Sequence, residues 1–135
     1  MSIRGGLVSI LTGENSISTL VSTRVYVGNA PQTATFPHIV ITQMSSDEMP
    51  ALDGTPGLRN VRFDIDCKDT RGVDCETLGN AVRVFIDDYS GTAGSETIDA
   101  VFLHDESTDI EEPRSGEGNP IYVTTLDISV QYTPA

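Results

Sequence analysis

The side chains able to do chemistry fall into a few small groups. His104 and Asp105 are neighbours at the end of an apolar run. Neighbouring residues of a strand point to opposite faces, so these two do not meet as a base and its orienting carboxylate. His38 opens another apolar run beside Pro37 and reads as a packed or edge residue. Asp64 and Asp66 do share a face, about 7 Å apart along a strand, a separation that suits a metal ion or an acid–base pair. With Arg62 in the same row and no histidine ligand in sight, they read as a solvated sheet face. Cys67 and Cys75 each fall on an apolar face, as small buried hydrophobes rather than a disulfide or a metal pair. The acidic residues from Asp105 to Glu117 have calcium-binding chemistry but lack the regular Asp-x-Asp-x-Asp-Gly spacing of an EF-hand. Phosphate-binding glycine loops, HExxH, CxxC and GxSxG are all missing from the sequence. No catalytic residue, cofactor site or metal site is assigned, and the chain reads as a non-enzyme.

Composition narrows the classes further. The 135 residues suit one domain, spanning 1–135, that buries roughly two-thirds of its unfolded surface. A formal net charge of -12 argues against holding nucleic acid or an anionic membrane through a basic face, because that binding comes from clustered Lys and Arg. No apolar run approaches the ~20 residues that span a bilayer, and the first residues lack the layout of a signal peptide. The expectation is a soluble protein made in a cytosol.

The elements that position these groups centre on residues 60–91. Val61, Phe63, Ile65 and Cys67 alternate with Arg62, Asp64 and Asp66, the period of a half-buried strand. Apolar residues then recur at Cys75, Leu78, Val82, Phe85, Ile86 and Tyr89, a helical stripe with Asp69 or Thr70 as N-cap and Gly91 as an αL stop. Before this unit, Ile3, Leu7, Ile10 and Leu11 predict a helix ending at Gly13, despite Gly5-Gly6, and Ser16 is placed to cap a further turn. Residues 24–27 and 38–43 predict strands, the latter apolar on both faces. Residues 45–57 predict a long loop or hairpin tip. After the unit, 97–104 predicts a strand with Ile98, Ala100 and Phe102 on one face. The segment 105–119 has almost nothing to bury and predicts a solvated loop, poorly ordered until it meets a partner. In residues 121–132, Tyr122, Leu126, Ile128, Val130 and Tyr132 face one way, and Asp127, Ser129 and Gln131 the other. Together these give an α+β fold, a mostly antiparallel sheet with helices packed on one face.

Several of these segments carry a resemblance. Arg24-Val25-Tyr26, Ala30-Pro31-Gln32, Phe36-Pro37-His38-Ile39-Val40, Leu52-Asp53-Gly54 and the run from Gly57 to Cys67 resemble, in order and spacing, the tail completion family of long-tailed bacteriophages. The resemblance covers nearly the whole chain. It implies a structural virion protein of the tail–neck region, a tail terminator that forms a homohexameric ring on the tail tube and joins the tail to the head. The implied partners are further copies of the chain, the major tail tube protein and a neck connector, with DNA passing through the channel unbound and no membrane involved. The alternatives are another tube or neck subunit, or a small ligand-binding α+β domain.

For such a ring, sequence pattern marks three sets of surface residues. Ile39 and Ile41, with Ile121 and Val123, are candidates for the seam between subunits. Met49, Leu52, Asp53, Asp105, Glu106, Asp109, Glu111, Glu112 and Arg114 lie in loops that can reach neighbours. Arg62, Asp64, Asp66, Asp127, Ser129 and Gln131 form a polar sheet face expected to line the channel, with Arg62 neutralised by Asp64 or Asp66.

Overall fold

Helical spacing of apolar residues opens the chain, as α1 (Ile3–Gly13), which buries Ile3, Leu7 and Leu11, and α2 (Asn15–Val21), which buries Ile17 and Val21. This computed structural model describes residues 3–31, 34–49, 58–93, 96–111 and 120–133. After the helices come β1 (Val25–Val27), β2 (His38–Met49), β3 (Leu58–Asp69), α3 (Gly72–Ile86), β4 (Gly91–Ala93), β5 (Glu96–Glu111) and β6 (Ile121–Thr133). The strands form one six-stranded sheet in the order β1-β2-β3-β6-β5-β4. Four of its five pairings are antiparallel; β1 alone joins in parallel, with Val25 opposite Ile39.

The alternating strands place one side of each on a single core. Val61, Phe63, Ile65 and Cys67 of β3 meet Leu126, Ile128, Val130 and Tyr132 of β6 under α3, whose Leu78, Val82 and Ile86 are fully buried. The first helix contacts both outer strands, β1 and β4, so the sheet curls around the helix layer. Two helical glycines permit this packing. A Cβ at Gly6 would sit 2.6 Å from the Ala93 carbonyl oxygen of β4, and one at Gly79 would sit 2.7 Å from Cγ2 of Thr124 on β6. The Gly5-Gly6 pair that weakens α1 as an isolated helix therefore lets it approach the sheet edge.

Several local expectations change. The strands of the first hairpin run on to Met49 and start again at Leu58, so residues 45–49 are strand and only 50–57 of the expected loop lie outside the described residues. Likewise, Asp105–Glu111 is not a loop: it continues β5, paired residue by residue with β6 up to Glu111 opposite Ile121. A backbone ladder satisfies N–H and C=O groups whatever the side chains are, so an acidic sequence can be held as strand by its neighbour. Bulges at Ile98/Ala100 and Leu103/Asp105 shift the parity of β5. Ile98 and Val101 consequently share the core face, and Phe102, expected beside Ile98, is 45% exposed on the other side. The caps differ too. Arg71 precedes α3 with no side-chain cap, while the Asp69 carboxylate accepts from the Thr70 N–H at 2.7 Å. The helix stops at Ile86, and Asp88, at φ 63°, takes the αL stop expected at Gly91, which has φ 149° at the start of β4. Glu14 stands at the N-cap of α2 expected for Ser16.

Candidate assembly surfaces

The sheet face away from the helices is built by the polar half of each alternating strand. In register across β3, β6 and β5, Asp64, Asp127 and Asp105 form a row of three carboxylates on adjacent strands. Strands lie about 4.8 Å apart, where like charges directly opposite one another destabilise the pairing. Among the described residues Asp127 is the one of the three in an ion pair, and its partner is Arg62. The expected neutralisation of Arg62 by a carboxylate on its own strand is thus corrected: the partner lies across the ladder, where side chains of the same face meet. Asp66 accepts from the Thr125 hydroxyl at 2.8 Å, and Lys68 pairs with Glu111 at 3.1 Å.

Burial, then the charges of Asp127 and Asp66, push the Asp64 carboxyl above its ordinary value of 3.8, with Arg62 opposing. The folded state therefore holds the Asp64 proton more tightly than the unfolded chain does. The stability cost of ionising Asp64 is absent well below pH 3.8, grows as pH rises and is complete once the raised pKa is passed. Asp64→Asn is expected to raise the thermal unfolding midpoint at pH 7 and to lose that advantage in acid. Equal midpoints at pH 7 would show that Asp64 is not strained.

Not all of this face is open. Ser129 is only 5% exposed, covered in part by its hydrogen bond with Nε2 of His104. His104 therefore meets a serine across the ladder rather than the adjacent Asp105. His38 packs against Phe36 and Tyr26 with Nδ1 3.1 Å from the Thr35 carbonyl, and burial lowers its pKa. Cys67 and Cys75 are both free and buried; the Cys75 thiol lies 3.2 Å from the Cys67 carbonyl, and burial raises both thiol pKa values.

Ile39 and Ile41, expected at a seam between subunits, are fully buried in the chain's own core, so their side chains cannot meet a neighbour. Val40, on the other face, is also buried, and such a run marks β2 as an internal strand, flanked by β1 and β3 and covered on both sides by its own chain. Val123 is 5% exposed, and Ile121 is half-buried at the rim of a hollow formed with residues 28–31, Ala34 and Phe36. Asp105, Glu106, Asp109 and Glu111 are exposed along β5, and Met49 closes β2. Leu52, Asp53, Glu112 and Arg114 lie outside the described residues. Gln131 is half-buried on the outer face, opposite Asn60.

Sequence pattern did not reveal the two free edges of the sheet. β1 covers β2 only from Ile39 to Ile41, and β4 covers β5 only from Glu96 to Ile98, after which the Asp88 N–H donates to the Val101 carbonyl. Among the described residues, no further strand pairs with the outer side of β2 from Thr42 to Met49 or of β5 from Phe102 to Glu111. Because the Val101 carbonyl points away from β6, so do alternate peptide groups along β5. Counting through the bulge with the β6 partners, Glu106, Thr108 and Ile110 turn their N–H groups outward, opposite Leu126, Thr124 and Tyr122.

A family model described as tail completion protein gp17 matches residues 5–118. The chain belongs to this family. It is a bacteriophage tail completion protein, a structural protein of the virion tail. A chain from the virion of a native gene transfer agent particle has the same fold as this tail completion protein, with a TM-score of 0.70 at 12% identity over 98% of this chain and 95% of that one. No curated protein matches the sequence.

Proposed function

We propose that this tail completion protein forms a closed ring on the end of the tail tube, ends tube growth and joins the tail to the neck connector of the head. The observation that carries this reading is the pair of free edges. A closed ring needs a heterologous contact, in which each subunit offers two different surfaces that fit each other. One sheet with an open edge on β2 and another on β5 offers two such surfaces on opposite sides, and an exposed edge is a ready template for pairing with another chain. The charged side chains along β5 hinder indiscriminate edge pairing, so the free protein can stay apart until the tube end holds copies together. The ring is a homohexamer in this reading, each copy acts as a single domain, and its other contacts are the major tail tube protein and the neck. It is made in the host cytoplasm and ends in the tail–neck region of the virion.

The acidic outer face then lines the channel, since carboxylates repel DNA phosphates and let the strand slide without displacing bound ions. Asp64→Lys with Asp66→Lys is expected to slow DNA passage in particles confirmed to carry the variant. Normal ejection and infectivity from such particles would remove this face from the channel wall. The ring itself is tested by electron microscopy of the purified protein, alone and mixed with tail tubes. Single closed rings at tube ends are expected; a long filament of this protein alone, or a lone monomer in a complete tail, would sink the proposal.

A further inference from the structure

We propose that the groove between the start of α3 and the distal half of β5 receives an apolar side chain carried on a basic segment of another protein. This inference does not depend on the ring. The third helix lies over β3 and β6 and reaches distal β5 through the Arg83–Glu106 ion pair, so among the described residues no helix is packed on the helix-side residues Thr108 and Ile110. What remains is a groove of about 600 Å³, within the range of ligand pockets. Its floor is Tyr122, Thr124 and Cys75, and Gly72 at its mouth presents no side chain; a Cβ there would touch the Tyr122 ring at 3.6 Å. Ile110 stands on one wall, 52% exposed, in a stretch where every other residue from 104 to 111 is polar.

Charge selects the occupant. Among the described residues the groove's lining includes Glu76, Glu106 and Asp109 and no cation; Glu76 and Glu106 are on its helix side, while Asp109 is opposite Val123 on the outer face, its Oδ1 accepting from the Ile110 N–H at 2.8 Å. Arg83 pairs with Glu106 at 3.6 Å from outside the lining, and no ion pair joins Glu76 or Asp109 among the described residues. For the groove itself a second copy is a poor source of a basic segment, with eight Lys and Arg against twenty Asp and Glu. A segment with Lys or Arg flanking one or two aliphatic side chains meets both features, the aliphatic group covering Ile110 and Tyr122 and the cations facing the carboxylates.

The test uses an eight-residue blocked peptide, Lys-Lys-Ser-Leu-Ile-Ser-Lys-Lys, titrated into the full chain and followed by amide and methyl NMR shifts. Shifts confined to Gly72, Cys75, Ile110, Tyr122 and their neighbours are expected. Affinity should fall at least tenfold for Ile110→Asp, for Glu76→Lys with Glu106→Lys, and for control peptides carrying Glu for Lys or Ser for Leu-Ile. Ile110 is half-exposed, so Ile110→Asp keeps the fold, and the control peptides test the unaltered protein in any case. Shifts elsewhere, equal binding of either control peptide, or shifts of the floor residues Gly72, Cys75 and Tyr122 on concentrating the protein without peptide would each overturn the proposal, the last by showing that a second copy fills the groove.

Discussion

Thr108→Pro is expected to leave the fold standing and to abolish ring formation. The Thr108 N–H points away from β6, so proline there removes no bond of the existing ladder, and edge strands tolerate proline in that setting. What it removes is a donor for the neighbouring copy, while its ring obstructs close approach of another strand. Ser107→Pro is the contrasting variant. Its N–H points toward Thr125 of β6, so its loss leaves a ladder acceptor without a partner and is expected to cost about 1 to 3 kcal/mol. Circular dichroism melts separate the two variants, and electron microscopy of tails assembled with each reads the ring. Normal rings from Thr108→Pro would show that the β5 edge is not the seam.

Gly79→Ala is expected to destabilise the protein, against the ordinary rule for helices. In a helix interior, alanine is better than glycine by about 1 kcal/mol. At this position the added Cβ would lie 2.7 Å from Cγ2 and 3.0 Å from Cβ of Thr124, and neither atom is the free end of a flexible chain. Forcing α3 off β6 is expected to cost about 1 to 3 kcal/mol, enough to outweigh the gain in propensity. Adding Thr124→Ala removes Cγ2 and should restore part of the loss, though it also removes the hydroxyl 3.3 Å from the Cys75 thiol. Urea unfolding of the two single variants and the double variant measures the coupling. An increase in stability from Gly79→Ala would mean that the helix does not lie this close to the sheet.

The legible parts of the fold are those where one face is buried and the other wet. Phe63 beside Asp64, or Leu126 beside Asp127, announces strand and face together, and Leu78, Val82 and Ile86 announce the helix that covers them. The distal half of β5 carries no such signal, because Glu106, Thr108 and Ile110 are as exposed as the residues between them. Its strand character comes from the β6 ladder, a long-range property. The two bulges add a second difficulty: each inserts a residue into the alternation, so strict alternation puts Phe102 on the wrong side. Ile39 and Ile41 mislead for a different reason. An apolar run looks the same whether its cover is a helix of the same chain or another subunit. The acidic face was legible as a face but not as a network, since the pairing of Arg62 with Asp127 depends on which strands become neighbours.

The place of β6 between β3 and β5 also sets the order in which the chain can fold. Residues 59–69 pair with residues 122–132, so the middle of the sheet joins segments roughly sixty positions apart. Contacts of that separation require a large loop to close before they return any stabilisation, which slows folding. During synthesis, β2 and β3 can form their hairpin early, but β3 has no partner on its other side until the chain beyond residue 120 has emerged. The β4–β5 pair waits in the same way. Loss of residues 121–133 would therefore divide the sheet through its centre instead of trimming an edge, and the buried faces of β3 and β5 would be left for chaperones to shield.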